Sequence, residues 1–96
     1  MISLKNKSSA QNLNWFLYIL KCSDGTLYTG ITNDLSRRMN QHNNGSASRY
    51  TRSRRPVQCL YHETCPSRSH ALKRELAVKS LPKKEKERLI SKLKRN

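Results

Sequence analysis

The chain has 96 residues, with 20 lysines and arginines against 6 acidic residues and a net charge of +14. That length gives one small domain with a modest core. The longest apolar run, Trp15 to Leu20, is far too short to cross a bilayer, which excludes a spanning protein of that kind.

A compact chain with so much positive charge repels itself and attracts polyanions, and nucleic acid is the commonest of these. A pI near 10.4 fits that partner. A basic ribosome-associated protein is the plainer reading of the same charge. Cys22, Cys59 and Cys65 are odd in number and contain no CxxC pair, so neither a disulfide framework nor a zinc knuckle is expected. Free thiols suit a reducing cytoplasm; Cys22 and Cys59 read as core filling and Cys65 as near a loop.

Residues 1–14 are polar and aperiodic, without the apolar stretch of a secretory signal, and read as a flexible lead-in to a single domain over 15–93. Trp15-Phe16-Leu17-Tyr18-Ile19-Leu20-Lys21-Cys22 has strand character. Asp24-Gly25 predicts a tight hairpin whose two turn residues both accept positive φ. Leu27-Tyr28-Thr29-Gly30-Ile31 is the returning arm, in which Gly30 lets another backbone or a ligand approach closely. Thr32 or Asn33 can cap a helix beginning at Asp34. Leu35, Met39 and His42 then fall at helical spacing, Arg38 and His42 share a face, and Asn43-Asn44-Gly45 ends the helix.

Residues 44–56 read as a basic loop carrying Arg49, Arg52, Arg54, Arg55 and one aromatic, Tyr50. The alternating stretch Val57 to Glu63 predicts a third strand. A helix follows from Pro66-Ser67 to about Ser80, with Ala71, Leu72, Leu76 and Val78 as its apolar positions. Pro82 opens a last helix with Leu89, Ile90 and Leu93 on its apolar face. The order β-β-α-β-α-α gives an α+β, sandwich-like fold, a small three-stranded antiparallel sheet flanked by helices.

Tyr18, then Tyr28-Thr29-Gly30, then Arg38, His42 and Glu75, in that order and spacing, resemble a GIY-YIG nuclease domain from about Trp15 to Leu81. The run Leu-Tyr-Thr-Gly-Ile-Thr followed by Asp-Leu-Ser-Arg-Arg is the most specific piece, and the likeness is greatest to the small stand-alone, YhbQ-like group. The resemblance implies Tyr18, Tyr28, Arg38 and His42 as catalytic residues, and Glu75 as the ligand of one divalent ion, Mg²⁺ or Mn²⁺. It implies hydrolysis of phosphodiesters in DNA, or in RNA, by one-step water attack. Two features depart from many family members: Ile31 stands where they place a lysine, and Lys84 to Glu87 hold no asparagine.

Those residue types suit the chemistry. A cation beside a phenol favours its phenolate, a guanidinium grips a phosphate with two bonds, and a histidine relays a proton. Mg²⁺ keeps several waters and takes phosphate as a ligand, so one carboxylate can hold it. The basic loop, through Arg49, Arg52, Arg54 and Arg55, would track the nucleic-acid backbone; Gly30 would let it approach, and Tyr50 would stack on a base or pack beneath the loop. A targeting protein would supply specificity to such a small chain, expected as a cytoplasmic monomer. The rival is a non-catalytic binding module on the same fold. In isolation, the tyrosines could be ordinary strand aromatics and Glu75 an i,i+4 partner of Lys79.

Overall fold

The computed structural model describes residues 14–95, with 93–95 described for the backbone alone, so nearly all of the expected 1–14 lead-in and the side chain of Leu93 lie outside the described residues. The elements run β1 (Trp15–Lys21), β2 (Leu27–Thr32), α1 (Leu35–Asn43), α2 (Arg49–Arg52), β3 (Gln58–Cys65), α3 (Arg68–Lys79) and α4 (Lys83–Arg95). The expected order is present, with α2 as an added single turn inside the basic loop.

The three strands form one antiparallel sheet in the order β2-β1-β3, so β1 is central. Strand alternation divides the apolar residues between two faces. Leu17 and Ile19 point to one face, where Ala71 and Val78 of α3 and Ile90 of α4 close the core with Cys65. Tyr18 and Leu20 point to the other, covered by Leu35 and Met39 of α1. Leu17, Ile19 and Leu20 are completely buried, each worth about 1.5–3 kcal/mol of apolar transfer. Ile31, on the face of Leu17, packs against that core.

Several local features differ from the sequence reading. In the hairpin only Gly25 has positive φ, +86°. The Gly25 N–H donates to the Cys22 carbonyl and the Cys22 N–H to the Thr26 carbonyl, each at 2.9 Å. Asp24 needs no left-handed backbone, because its carboxylate accepts from the Thr26 N–H and hydroxyl and holds the turn from outside. Asp34, not Thr32 or Asn33, caps α1 by accepting the Arg37 N–H, while the Thr32 hydroxyl oxygen accepts the N–H of Asp34. β3 carries a bulge: Ile19 pairs with Tyr61 but Leu20 with Cys59. The extra residue lets Leu60 and Tyr61 both pack on the α3–α4 side while Cys59 stays on the other. Cys65, expected near a loop, is the buried last residue of β3. Leu76, expected on the apolar face of α3, is 71% exposed. Ala71 and Val78, seven apart, already supply that face, and Leu76 lies off their stripe. Among the described residues no helix is long and apolar enough to cross a membrane.

Candidate active site

The site begins with a cross-strand pair. Tyr18 of β1 lies opposite Gly30 of β2. A Cβ at position 30 would stand 2.5 Å from the Tyr18 hydroxyl oxygen and 2.7 Å from its ring carbon. The space that Gly30 leaves is thus taken by the Tyr18 phenol, which leans across β2. There its oxygen meets His42 of α1, 2.9 Å from Nε2. Both side chains are buried, at 2% and 1% exposure.

Tyr28 completes an aromatic corner. Its ring centroid is 5.2 Å from that of His42 and 6.5 Å from that of Tyr18. Tyr50, from the single turn α2, stacks on Tyr28 at 5.8 Å, and the Arg54 guanidinium lies over the Tyr50 ring at 3.9 Å. The sequence left open whether Tyr50 packs beneath the loop; it packs against Tyr28, and Arg54 covers one of its faces.

The charges around this corner act on both titrating groups. Burial pushes the Tyr18 phenol well above its ordinary range; the nearby Tyr28 and Glu75 push the same way, and only Arg38 opposes them. Burial and then the Arg38 guanidinium drive His42 down to about 4, so its imidazole is neutral. Arg38 of α1 and Glu75 of α3 therefore both come near Tyr18, from opposite sides of the sheet. Both charges can act on the phenol because Tyr18 reaches toward β2, an edge strand against which α3 packs. Glu75 also forms the ion pair with Lys79 that its spacing suggested, at 3.4 Å. Arg38 further lines a small polar cleft of about 60 Å³ with Thr32, Asn33, Asp34, Arg37 and Gln41.

Three of the four loop arginines are bound within the protein. Arg52 Nε donates to the Gly45 carbonyl at 3.1 Å and Arg55 Nε to the Arg52 carbonyl at 2.8 Å. Arg54 Nε donates to Asp24 at 3.0 Å and its Nη1 to the Tyr50 carbonyl at 2.9 Å. These side chains keep their charge but also knit the loop together. Two residues were missed in the sequence: Thr51, whose hydroxyl oxygen lies 2.8 Å from His42 Nδ1, and Ser48, 2.9 Å from Thr51. A Ser-x-x-Thr pair in a polar loop gives no periodic signal, and only the capping preference of serine hints at the turn.

The model of the GIY-YIG catalytic domain matches residues 14–88. The chain belongs to the GIY-YIG family. A UPF0213 protein of Desulfotalea psychrophila is 54% identical over 77 residues, covering 79% of this chain and 70% of that protein. A UPF0213 protein of Staphylococcus saprophyticus is 47% identical over 76 residues, 79% of this chain and 93% of its own. Among solved structures, a solution NMR structure of a UPF0213 protein from Bacillus halodurans aligns with a TM-score of 0.53 at 41% identity, covering 81% of this chain and 83% of that one. A protein of E. faecalis, also solved by NMR, gives 0.59 at 35%, covering 86% and 88%. The GIY-YIG assignment places the chain in a nuclease superfamily, and the small UPF0213 relatives agree with the stand-alone group that the sequence resembled.

Proposed function

We propose that this GIY-YIG protein is a metal-dependent nuclease that hydrolyses phosphodiester bonds, in DNA before RNA. The observation that carries the proposal is the buried hydrogen bond between Tyr18 and His42, at 2.9 Å, with the Arg38 and Glu75 charges near enough to act on the phenol. The protein would act as a single-domain cytoplasmic monomer whose three cysteines remain thiols, directed to its target by a partner protein.

Water attacks phosphorus as its proton passes to the Tyr18–His42 pair. Arg38 holds a non-bridging phosphate oxygen. In the free protein Arg38 opposes protonation of His42. A bound phosphate offsets that charge, so substrate makes the pair a better proton acceptor. Tyr28 packs against His42, and Tyr50 stacks on Tyr28.

The donor set also fits the ion that the family uses. Among the described residues no three His, Cys, Asp or Glu side chains cluster as a metal cage. Glu75 is mostly shielded from solvent, at 18% side-chain exposure, and among the described residues its one ion pair is with Lys79. One carboxylate suits Mg²⁺ or Mn²⁺, which keep water and phosphate in their shells. When bound, the ion supplies positive charge opposite the phosphate and the departing oxygen.

One observation favours a second reading. The Tyr18 phenol is held protonated more firmly than a free tyrosine, as befits a binding module that has lost turnover. One experiment separates the two. The protein is incubated with single-stranded, duplex and branched DNA and with RNA, in Mg²⁺, Mn²⁺ or EDTA, beside Arg38→Ala and Glu75→Ala. The nuclease reading expects ion-dependent cleavage, reduced about 10²–10³-fold by Arg38→Ala through loss of phosphate-charge stabilisation. Salt-sensitive binding without cleavage, or variants that cut as well as the parent, would favour the binding module.

A further inference from the structure

The hydrogen bonds at Tyr18 do not stop at His42. His42 Nδ1 lies 2.8 Å from the Thr51 hydroxyl oxygen, which lies 2.9 Å from Ser48 Oγ. Ser48 Oγ also accepts the Thr51 backbone N–H at 3.1 Å, as the N-cap of α2. Thr51 is completely buried. We propose that Thr51, held by Ser48, is a positioning residue that fixes His42 in the Nδ1–H tautomer and leaves Nε2 bare to accept the Tyr18 hydroxyl proton.

Counting donors gives the direction of the chain. A neutral imidazole has one N–H and one acceptor nitrogen. If Nε2 carried the hydrogen, it would donate to the Tyr18 oxygen, and the buried Tyr18 O–H would need another acceptor. Among the described residues Tyr18 has none besides His42. A buried hydroxyl hydrogen without an acceptor is costly, so that arrangement is disfavoured. In the other arrangement every buried donor of the chain has an acceptor, and the hydroxyl hydrogen of the half-buried Ser48 is left to solvent. Tyr18 O–H donates to Nε2, Nδ1–H donates to Thr51, and Thr51 O–H donates to Ser48 Oγ.

The same arrangement serves turnover, and here the inference rests on the nuclease reading. As water attacks phosphorus, one water O–H bond breaks and its proton goes to the Tyr18 oxygen. The Tyr18 O–H bond breaks, its proton goes to Nε2, and the phosphorus–oxygen bond to the leaving group breaks with its electron pair on that oxygen. His42 becomes an imidazolium with two N–H donors. Nδ1–H still faces the Thr51 oxygen, so no hydroxyl has to turn during the step. Thr51 touches neither substrate nor ion; it acts through His42.

The test reads the tautomer and the rate separately. Long-range ¹⁵N–¹H spectra of the full chain give the protonated ring nitrogen of His42. The parent and Thr51→Ser should show Nδ1–H; Thr51→Val should shift His42 toward the Nε2–H form, and Ser48→Ala should do so partly. On a cleaved substrate Thr51→Val should lower kcat about 10- to 100-fold with KM unchanged, as loss of an orienting partner does, and Thr51→Ser should recover it. An Nε2–H signal in the parent overturns the inference, even if Thr51→Val does not fold. So does Thr51→Val with an unshifted tautomer. If the parent cleaves nothing yet the tautomers follow this pattern, the nuclease reading fails while the role of Thr51 in setting the ring stands.

Discussion

Gly30 and Tyr18 face each other across the hairpin, and the missing side chain of one is the room that the other occupies. Gly30→Ala should therefore cost about 1–3 kcal/mol, as overpacking does, and should also push the phenol away from His42. Chemical denaturation measures the first effect and the Tyr18 hydroxyl resonance the second; an unchanged midpoint would contradict the packing described. His42 makes a separate prediction. Its folded value near 4 lies below the ordinary 6.5, so between those values the unfolded chain binds a proton that the folded chain refuses. Stability should hold above about pH 6.5 and fall by on the order of 3 kcal/mol as pH drops toward 4. Urea titrations across that range should show the slope, and His42→Gln should remove it. At this scale the sequence was informative where spacing repeats a known pattern, as at Tyr18, Tyr28, Arg38, His42 and Glu75. It was silent at Thr51 and Ser48, because a hydroxyl nine residues from its histidine partner leaves no periodic trace.

The basic loop between α1 and β3 is far more ordered than its composition suggested. Asn43 closes it at the base: its Nδ2 donates to the Val57 carbonyl at 3.2 Å, and its Oδ1 accepts the Val57 N–H at 2.8 Å. The Ser23 N–H donates to the Arg54 carbonyl, so the hairpin turn and the loop also brace each other. Asn43→Ala should cost about 1–3 kcal/mol through the unpaired Val57 groups, and should loosen α2. Trypsin would then cleave after Arg49, Arg52 or Arg54 faster than in the parent, more than the change in global stability explains. Strand and helix positions were legible because alternation and helical spacing follow from burial. The bulge at Leu60 and the turn α2 were not, since both depend on partners far along the chain. Asp24 misled for a related reason: an Asp-Gly pair predicts two positive φ angles, but a carboxylate that bonds Thr26 and Arg54 stabilises the turn without them.

The molecule is layered, with α1 on one face of the sheet and α3 and α4 on the other, and the candidate site draws from both layers at the β2 edge. Charge on this scale gives a prediction that separates the loop arginines. Nucleic-acid affinity should fall steeply with salt, at about one unit of log–log slope per phosphate neutralised. Arg49 has no hydrogen bond among the described side chains, whereas Arg55 donates to the Arg52 carbonyl. Arg49→Ala should reduce the slope by about one at unchanged stability; Arg55→Ala should lower the unfolding midpoint as well. The order of the elements made the layers legible, while the way a charge on α3 comes to act on Tyr18 required the sheet order. That order has a kinetic consequence. β1, paired on both sides, should be among the last segments to exchange its amide hydrogens, whereas β2 pairs on one side only. Tyr18 thus sits on a strand expected to open late, and, if the proposed nuclease function holds, the edge strand β2 could yield to an irregular backbone while the Tyr18–His42 pair stays closed.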